Sequence, residues 1–135
     1  MNARTTALSA LIAMRRQNAW ADGALKEYTA RARLDRRDAA LAARVLYGVV
    51  QNRMLLDFYL AQAVASPLAK LQPVVLDILR LGAYQILFLD KIPVSAAVNE
   101  AVEQTKTYAN KRAAGLVNGS LRTIARRKGE LEQPH

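Results

Sequence analysis

Apolar residues recur at spacings of three and four along most of the chain and nowhere alternate with polar ones over a strand's length, which predicts helices throughout. Ala3, Ala7, Ala10, Leu11 and Met14 mark a first helix over 3–16, with Arg4, Arg15 and Arg16 off that stripe. Asp22-Gly23 predicts a break before a second helix over about 24–33, with Leu25, Tyr28 and Ala32 inward. Leu34-Asp35 opens a third, in which Asp35 suits the N-cap, Asp38 suits the first turn, and Ala39, Ala43, Leu46, Tyr47 and Val50 form the inward stripe. This helix runs on, or bends near Gln51-Asn52, into a segment carrying Leu55, Leu56, Tyr59 and Leu60.

Ser66-Pro67 is a second break, because proline disfavours helix in its predecessor, and Pro73 suits the first turn of a new helix. Residues 74–89 are apolar almost all round, the pattern of a helix buried in mid-fold. Gly82 shares a face with Ile78, Leu79 and Ile86, where its missing side chain would let a neighbouring helix come close. After Pro93, residues 95–108 form a helix with Ser95 as N-cap and Val98 and Val102 inward. Residues 112–127 form the last, with Ala114, Val117, Leu121 and Ile124 inward. The expectation is an all-α bundle of six to seven helices. One domain spans 1–128, and a polar tail, 129–135, marks a domain boundary or an artificial chain end.

Composition narrows the chemistry. Apolar residues are 52% of the 135, but many are Ala, which favours helix and adds little core volume. There is no Cys, which excludes disulfides, thiolate metal sites and a Cys nucleophile. The single His, His135, cannot build a multi-His metal site, so no metal site is expected. The N-terminus lacks the apolar run of a signal peptide, and no stretch approaches the ~18 apolar residues that span a bilayer. A cytoplasmic protein without a membrane partner is expected.

The net charge is +9, and its placement says more than its size. Residues 1–53 carry +6, residues 54–110 carry −1, and residues 111–135 carry +4. Positive charge concentrated at both ends of the chain points to a polyanionic partner, nucleic acid before membrane.

Four blocks then carry a resemblance. Leu34-Asp35-Arg36-Arg37-Asp38 leads into Val45-Leu46-Tyr47-Gly48-Val49-Val50, with Leu56-Asp57 after it. Leu79-Arg80-Leu81-Gly82-Ala83-Tyr84-Gln85-Ile86-Leu87-Phe88 follows, then Ile92-Pro93-Val94-Ser95-Ala96-Ala97-Val98-Asn99-Glu100-Ala101-Val102-Glu103. The last block is Ala114-Gly115-Leu116-Val117-Asn118-Gly119-Ser120-Leu121-Arg122. In this order, over nearly the whole chain, they resemble the NusB superfamily. The Leu121-Arg122 ending and the Arg80-Leu81-Gly82-Ala83-Tyr84-Gln85 block look like its branch at the front of the RsmB (Sun/Fmu) ribosomal-RNA methyltransferases. The resemblance implies a NusB-like bundle of two packed helical subdomains and binding of ribosomal RNA. It places methylation at cytosine C5 in a linked or associated domain that uses S-adenosylmethionine. The alternative within the superfamily is a free-standing transcription antitermination factor that binds RNA with a ribosomal protein. A helical protein-interaction module with no RNA role is a third reading.

Catalysis by this chain is not expected. Addition to C6 of a pyrimidine in that family needs a Cys thiolate, and a Rossmann-type cofactor site needs a strand, a Gly-rich turn and a helix. Gly115 and Gly119, at G-x-x-x-G spacing inside a helix, predict close packing rather than a phosphate cradle. Glu100 and Glu103 read as solvated or structural charge, and Asn99 and Asn118 as amides tying helices together. Tyr28, Tyr47, Phe58, Tyr59, Tyr84 and Phe88 read as mostly core, whereas Trp20, in a loop beside the first helix, fits no stripe. The expected RNA-binding residues are Arg4, Arg15 and Arg16 on the first helix, with Lys111, Arg112, Arg122, Arg126, Arg127 and Lys128 on or beside the last. Arg33, Arg36 and Arg37 could extend them, partly neutralised by Asp35 and Asp38. If the first and last helices are neighbours, the two groups form one phosphate-binding face.

Overall fold

The computed structural model describes residues 2–128, so the expected tail at 129–135, with His135, lies outside the described residues. Among the described residues there are seven α-helices and no strand. The chain divides between Gln51 and Asn52 into two compact units, at the bend the sequence predicts.

The first unit holds α1 (Ala3–Gln17), α2 (Ala21–Ala32) and α3 (Arg36–Gln51), each packed on the other two. Asn2 caps α1, its side-chain oxygen accepting from the Thr5 N–H at 2.8 Å. Asp35 caps α3 in the same way, accepting from the Asp38 N–H at 2.8 Å. Helices α1 and α2 both end on a left-handed residue, Asn18 and Arg33, each at φ 52°. Leu8, Val45, Leu46 and Val49 are buried in this unit. The break expected at Asp22-Gly23 is displaced, since α2 already starts at Ala21. Trp20 takes the N-cap position and Asp22 falls in the first turn, where a carboxylate meets the positive end of the helix dipole.

The second unit holds α4 (Arg53–Ala63), a single 3-10 turn (Leu68–Lys70), α5 (Pro73–Phe88), α6 (Val94–Tyr108) and α7 (Lys111–Arg126). Helix α5 packs against α4, α6 and α7, and Ile78, Leu79, Leu81, Ala83 and Ile86 are all buried, as its all-round apolar pattern predicts. Gly82 is required there. A Cβ at this position would stand 2.6 Å from Leu121 Cδ1 of α7, and Leu121 is itself fully buried.

Four further expectations are corrected. Helix α6 begins at Val94, and the Pro93 carbonyl accepts from the N–H groups of Ala96 and Ala97, so Ser95 lies inside the first turn and not at the cap. Gly115 and Gly119 mediate no packing, since both are exposed and a Cβ on either would meet nothing within 4 Å. Asn99 is exposed, and Asn118 accepts from Arg122 of its own helix at 3.0 Å rather than reaching another. Phe58 and Phe88 are partly exposed, each leaning on a buried tyrosine: Phe58 edge-on to Tyr59, Phe88 stacked on Tyr84.

Candidate nucleic-acid interface

The three cations of α1 sit at its two ends. Arg4 lies in its first turn, half-buried, and Arg15 and Arg16 lie in its last turn, exposed. The middle of the helix is buried over most of its circumference by Ala7, Leu8, Ala10, Leu11 and Ala13, which leaves charge room only at the ends. Cations in the last turn also face the negative end of the helix dipole, so Arg15 and Arg16 are held at little cost. No carboxylate occurs within α1.

Helix α7 is arranged differently. Ala114, Val117, Leu121 and Ile124 are buried on one side. Lys111, Arg112, Gly115, Gly119, Arg122 and Arg126 are exposed and recur at helical spacing on the other. Asn110 caps the helix, accepting from the Ala113 N–H at 2.8 Å. Lys111 and Arg112 thus stand at the positive end of the dipole, where cations raise the local potential instead of lowering it. No carboxylate occurs within this helix either. Four cations therefore share a face about 22 Å long, by the 1.5 Å rise per residue, and the two bare glycines between them leave the backbone open to approach.

The remaining expected residues of this group have protein partners. Arg122 donates to Asn118 and Arg126 to Thr123 Oγ1 at 3.2 Å, neutral contacts that orient each guanidinium and leave its charge uncompensated. Arg127, half-buried, makes a long contact of 3.5 Å to the Gln62 carbonyl. Lys128 is ion-paired with Asp90 at 3.0 Å. Its positive field is therefore largely cancelled, unlike that of Arg126.

The α1 and α7 clusters belong to different units, α1 packing on α2 and α3, and α7 on α6, α5 and α4. A common face is a relation across two units, and mutation rather than the geometry inside either unit tests it.

Two features escape the sequence patterns. Lys70 of the 3-10 turn joins Arg112, Gln72 and Asn110 around an open groove of about 260 Å³ floored by Val75 and Leu116. Only the turn between α4 and α5, which no spacing rule locates, brings it there. Trp20 is 86% exposed, next to the arginine end of α1. Among the described residues no three His, Asp or Glu side chains stand together as metal ligands, and no helix is long and apolar enough to cross a membrane.

The model of the NusB family matches residues 1–126. The chain belongs to the NusB family. This NusB-family domain is 38% identical over 91% of its length to a probable ribosomal RNA small subunit methyltransferase B of Bacillus subtilis, and spans 27% of that protein. It is 37% identical over 74% of its length to the transcription antitermination protein NusB of Ruminiclostridium cellulolyticum, of which it spans 68%. Among solved structures it matches the NusB of T. maritima with a TM-score of 0.83 at 27% identity, covering 96% of this chain and 95% of that one. The chain thus spans about a quarter of the methyltransferase relative and most of the NusB relatives.

Proposed function

We propose that this NusB-family domain binds ribosomal RNA and presents it to a methyltransferase domain that methylates cytosine C5 with S-adenosylmethionine. One observation carries the RNA reading. Helices α1 and α7 bear exposed cations, and neither helix contains a carboxylate of its own. Phosphate contacts of this kind fix a nucleic acid without reading its sequence, and Arg adds a planar fork that suits phosphate. Tethering such a surface to a catalytic domain raises the effective concentration of substrate there.

The methyltransferase branch is favoured by the extent of the match. The similarity to the B. subtilis methyltransferase runs over 91% of the chain, that to the R. cellulolyticum antitermination protein over 74%. A reading frame that continues past Pro134 into a methyltransferase domain is the expected gene structure. The residues described here do not fit S-adenosylmethionine themselves. The described residues form helices and one 3-10 turn, without the strand and Gly-rich turn of a Rossmann-type cofactor site, so in this reading a linked domain would hold S-adenosylmethionine.

The antitermination reading has its own support, since the chain spans 68% of the R. cellulolyticum NusB at 37% identity. In that role it would bind RNA together with a ribosomal protein. The deciding experiment measures RNA affinity of the domain against salt. Each neutralised phosphate of single-stranded RNA contributes roughly −0.7 to the log–log slope. A slope near zero would overturn RNA binding in both versions.

A further inference from the structure

We propose that Trp20 is a stacking platform for an unpaired RNA base, with Arg15 and Arg16 beside it to hold the adjoining phosphates; this rests on the RNA-binding reading above. Trp20 lies between α1 and α2 in the first unit, in extended backbone at φ −73° and ψ 148°. Its carbonyl accepts the Ala24 N–H at 3.0 Å and so begins α2, which fixes the backbone. The indole takes no part in that capping and is 86% exposed.

Tryptophan is highly buried on average, so an 86% exposed indole is unusual. Its surroundings say what it suits. Arg15 and Arg16 lie in the last turn of α1 only a few residues earlier, with Asn18 in the left-handed conformation between them and Trp20. A flat aromatic face beside exposed guanidinium groups is the arrangement that single-stranded RNA uses: bases stack on the ring while cations track the backbone. A protein partner offering an acidic, apolar patch would meet the same charges. RNA is favoured because α1 carries no carboxylate and the whole stretch 1–53 is strongly positive. Asp22, two residues on in sequence, has its Oδ1 accepting the Tyr47 hydroxyl, which turns that oxygen toward α3. Stacking tolerates any base, so the platform adds affinity for unpaired segments without sequence preference.

The sequence contains a single tryptophan, so indole emission reports on this position alone. The chain is titrated with short unpaired oligoribonucleotides, the stacked oligo(A) and the unstacked oligo(U), while labelled-RNA anisotropy records binding independently. The expected result is quenching of Trp20 emission that tracks binding. Trp20→Ala is expected to weaken affinity about tenfold, within the range for loss of one stacked base. Trp20→Phe should restore most of it, and the salt slope should be unchanged in both. The exposed side chain predicts unchanged thermal unfolding, which separates stacking from folding. If RNA binds but the emission does not respond and Trp20→Ala binds equally well, the platform is overturned and the RNA reading stands. If neither oligonucleotide binds the native chain, the RNA reading fails and the platform with it.

Discussion

Arg80, in the middle of the most apolar helix of the chain, forms a bidentate ion pair with Asp57 of α4, Nε to Oδ1 at 2.8 Å and Nη2 to Oδ2 at 2.9 Å. The two sides of the pair are not equally wet: the arginine side chain is 9% exposed and the aspartate 32%. Loss of either partner therefore has different consequences. Asp57→Ala strands a desolvated guanidinium and is expected to cost about 3 kcal/mol. Arg80→Met leaves a carboxylate that water can reach and fills the arginine's space with an apolar chain, so about 1 kcal/mol is expected. Urea unfolding of both variants measures the order. Equal losses, or the reverse order, would show that the pair is not governed by burial of the arginine.

Gly82 and Leu121 set the spacing of α5 and α7. A methyl group at Gly82 gains helix propensity of about 1 kcal/mol but must displace a fully buried leucine, and overpacking of this kind costs typically 1–3 kcal/mol. Gly82→Ala is expected to destabilise the domain by about 1 kcal/mol. Leu121→Val shortens the clashing side chain, so the double variant should lose less than the sum of the two singles. Additive losses in denaturant melts would contradict the close approach.

Much of this architecture was legible in the sequence, and the misses share a cause. Helical spacing locates six helices outright, Pro67 and Pro93 break the chain as proline requires, and the bend near Asn52, which the spacing left open, separates α3 from α4. The cap at Asp35 and the close approach at Gly82 were also readable, because each depends on a local residue in a known pattern. The glycines Gly115 and Gly119 were misread because spacing places them together without saying which side of α7 faces the core. The Arg80–Asp57 pair was missed although charge inside an apolar run, here Asp77 and Arg80, is a signal for a buried partner. Of the candidate interface, the cations of α1 and α7 were readable as residues. The loss of free charge at Lys128 was not, since Asp90 is distant in sequence.

Alkaline stability follows from the hydrogen bond that the Tyr47 hydroxyl donates to Asp22. That bond, with burial and the nearby carboxylate charge adding to it, raises the Tyr47 pKa above its ordinary value of 10.0. The folded state therefore holds the phenolic proton at pH values where the unfolded chain has released it. The contribution is fully present below pH 10 and declines as pH rises from there through the folded-state value. Tyr47→Phe removes the donor and should abolish this part of the pH dependence. Thermal melts of wild type and variant from neutral to alkaline pH are expected to converge as the pH climbs, and a constant gap would rule the bond out as the source.

Arg33 closes α2 in the left-handed region, where a side chain normally costs on the order of 1 kcal/mol. Glycine is free of that cost and is the usual residue at such a terminus. Arg33→Gly is expected to raise the melting temperature by a few degrees, and the guanidinium it removes is exposed. A lower melting temperature would mean that Arg33 makes contributions beyond its backbone.

The basic face of α7 predicts unequal effects from residues of equal charge. Arg126 is exposed and, among the described residues, bonded to a neutral hydroxyl, so its charge is available to a phosphate. Lys128 already faces Asp90, and a phosphate approaching it meets that carboxylate as well. Arg126→Ala should therefore lower the salt slope of RNA binding by up to ~0.7, and Lys128→Ala by distinctly less. The same measurement reaches across the two units. If α1 and α7 grip one RNA together, Arg16→Ala and Arg126→Ala each reduce the slope and the double variant reduces it by their sum. If each unit binds RNA by itself, removing the charges of one helix leaves a second class of site with its slope intact, and the binding curve becomes biphasic. A single weakened transition is the outcome that a shared face requires.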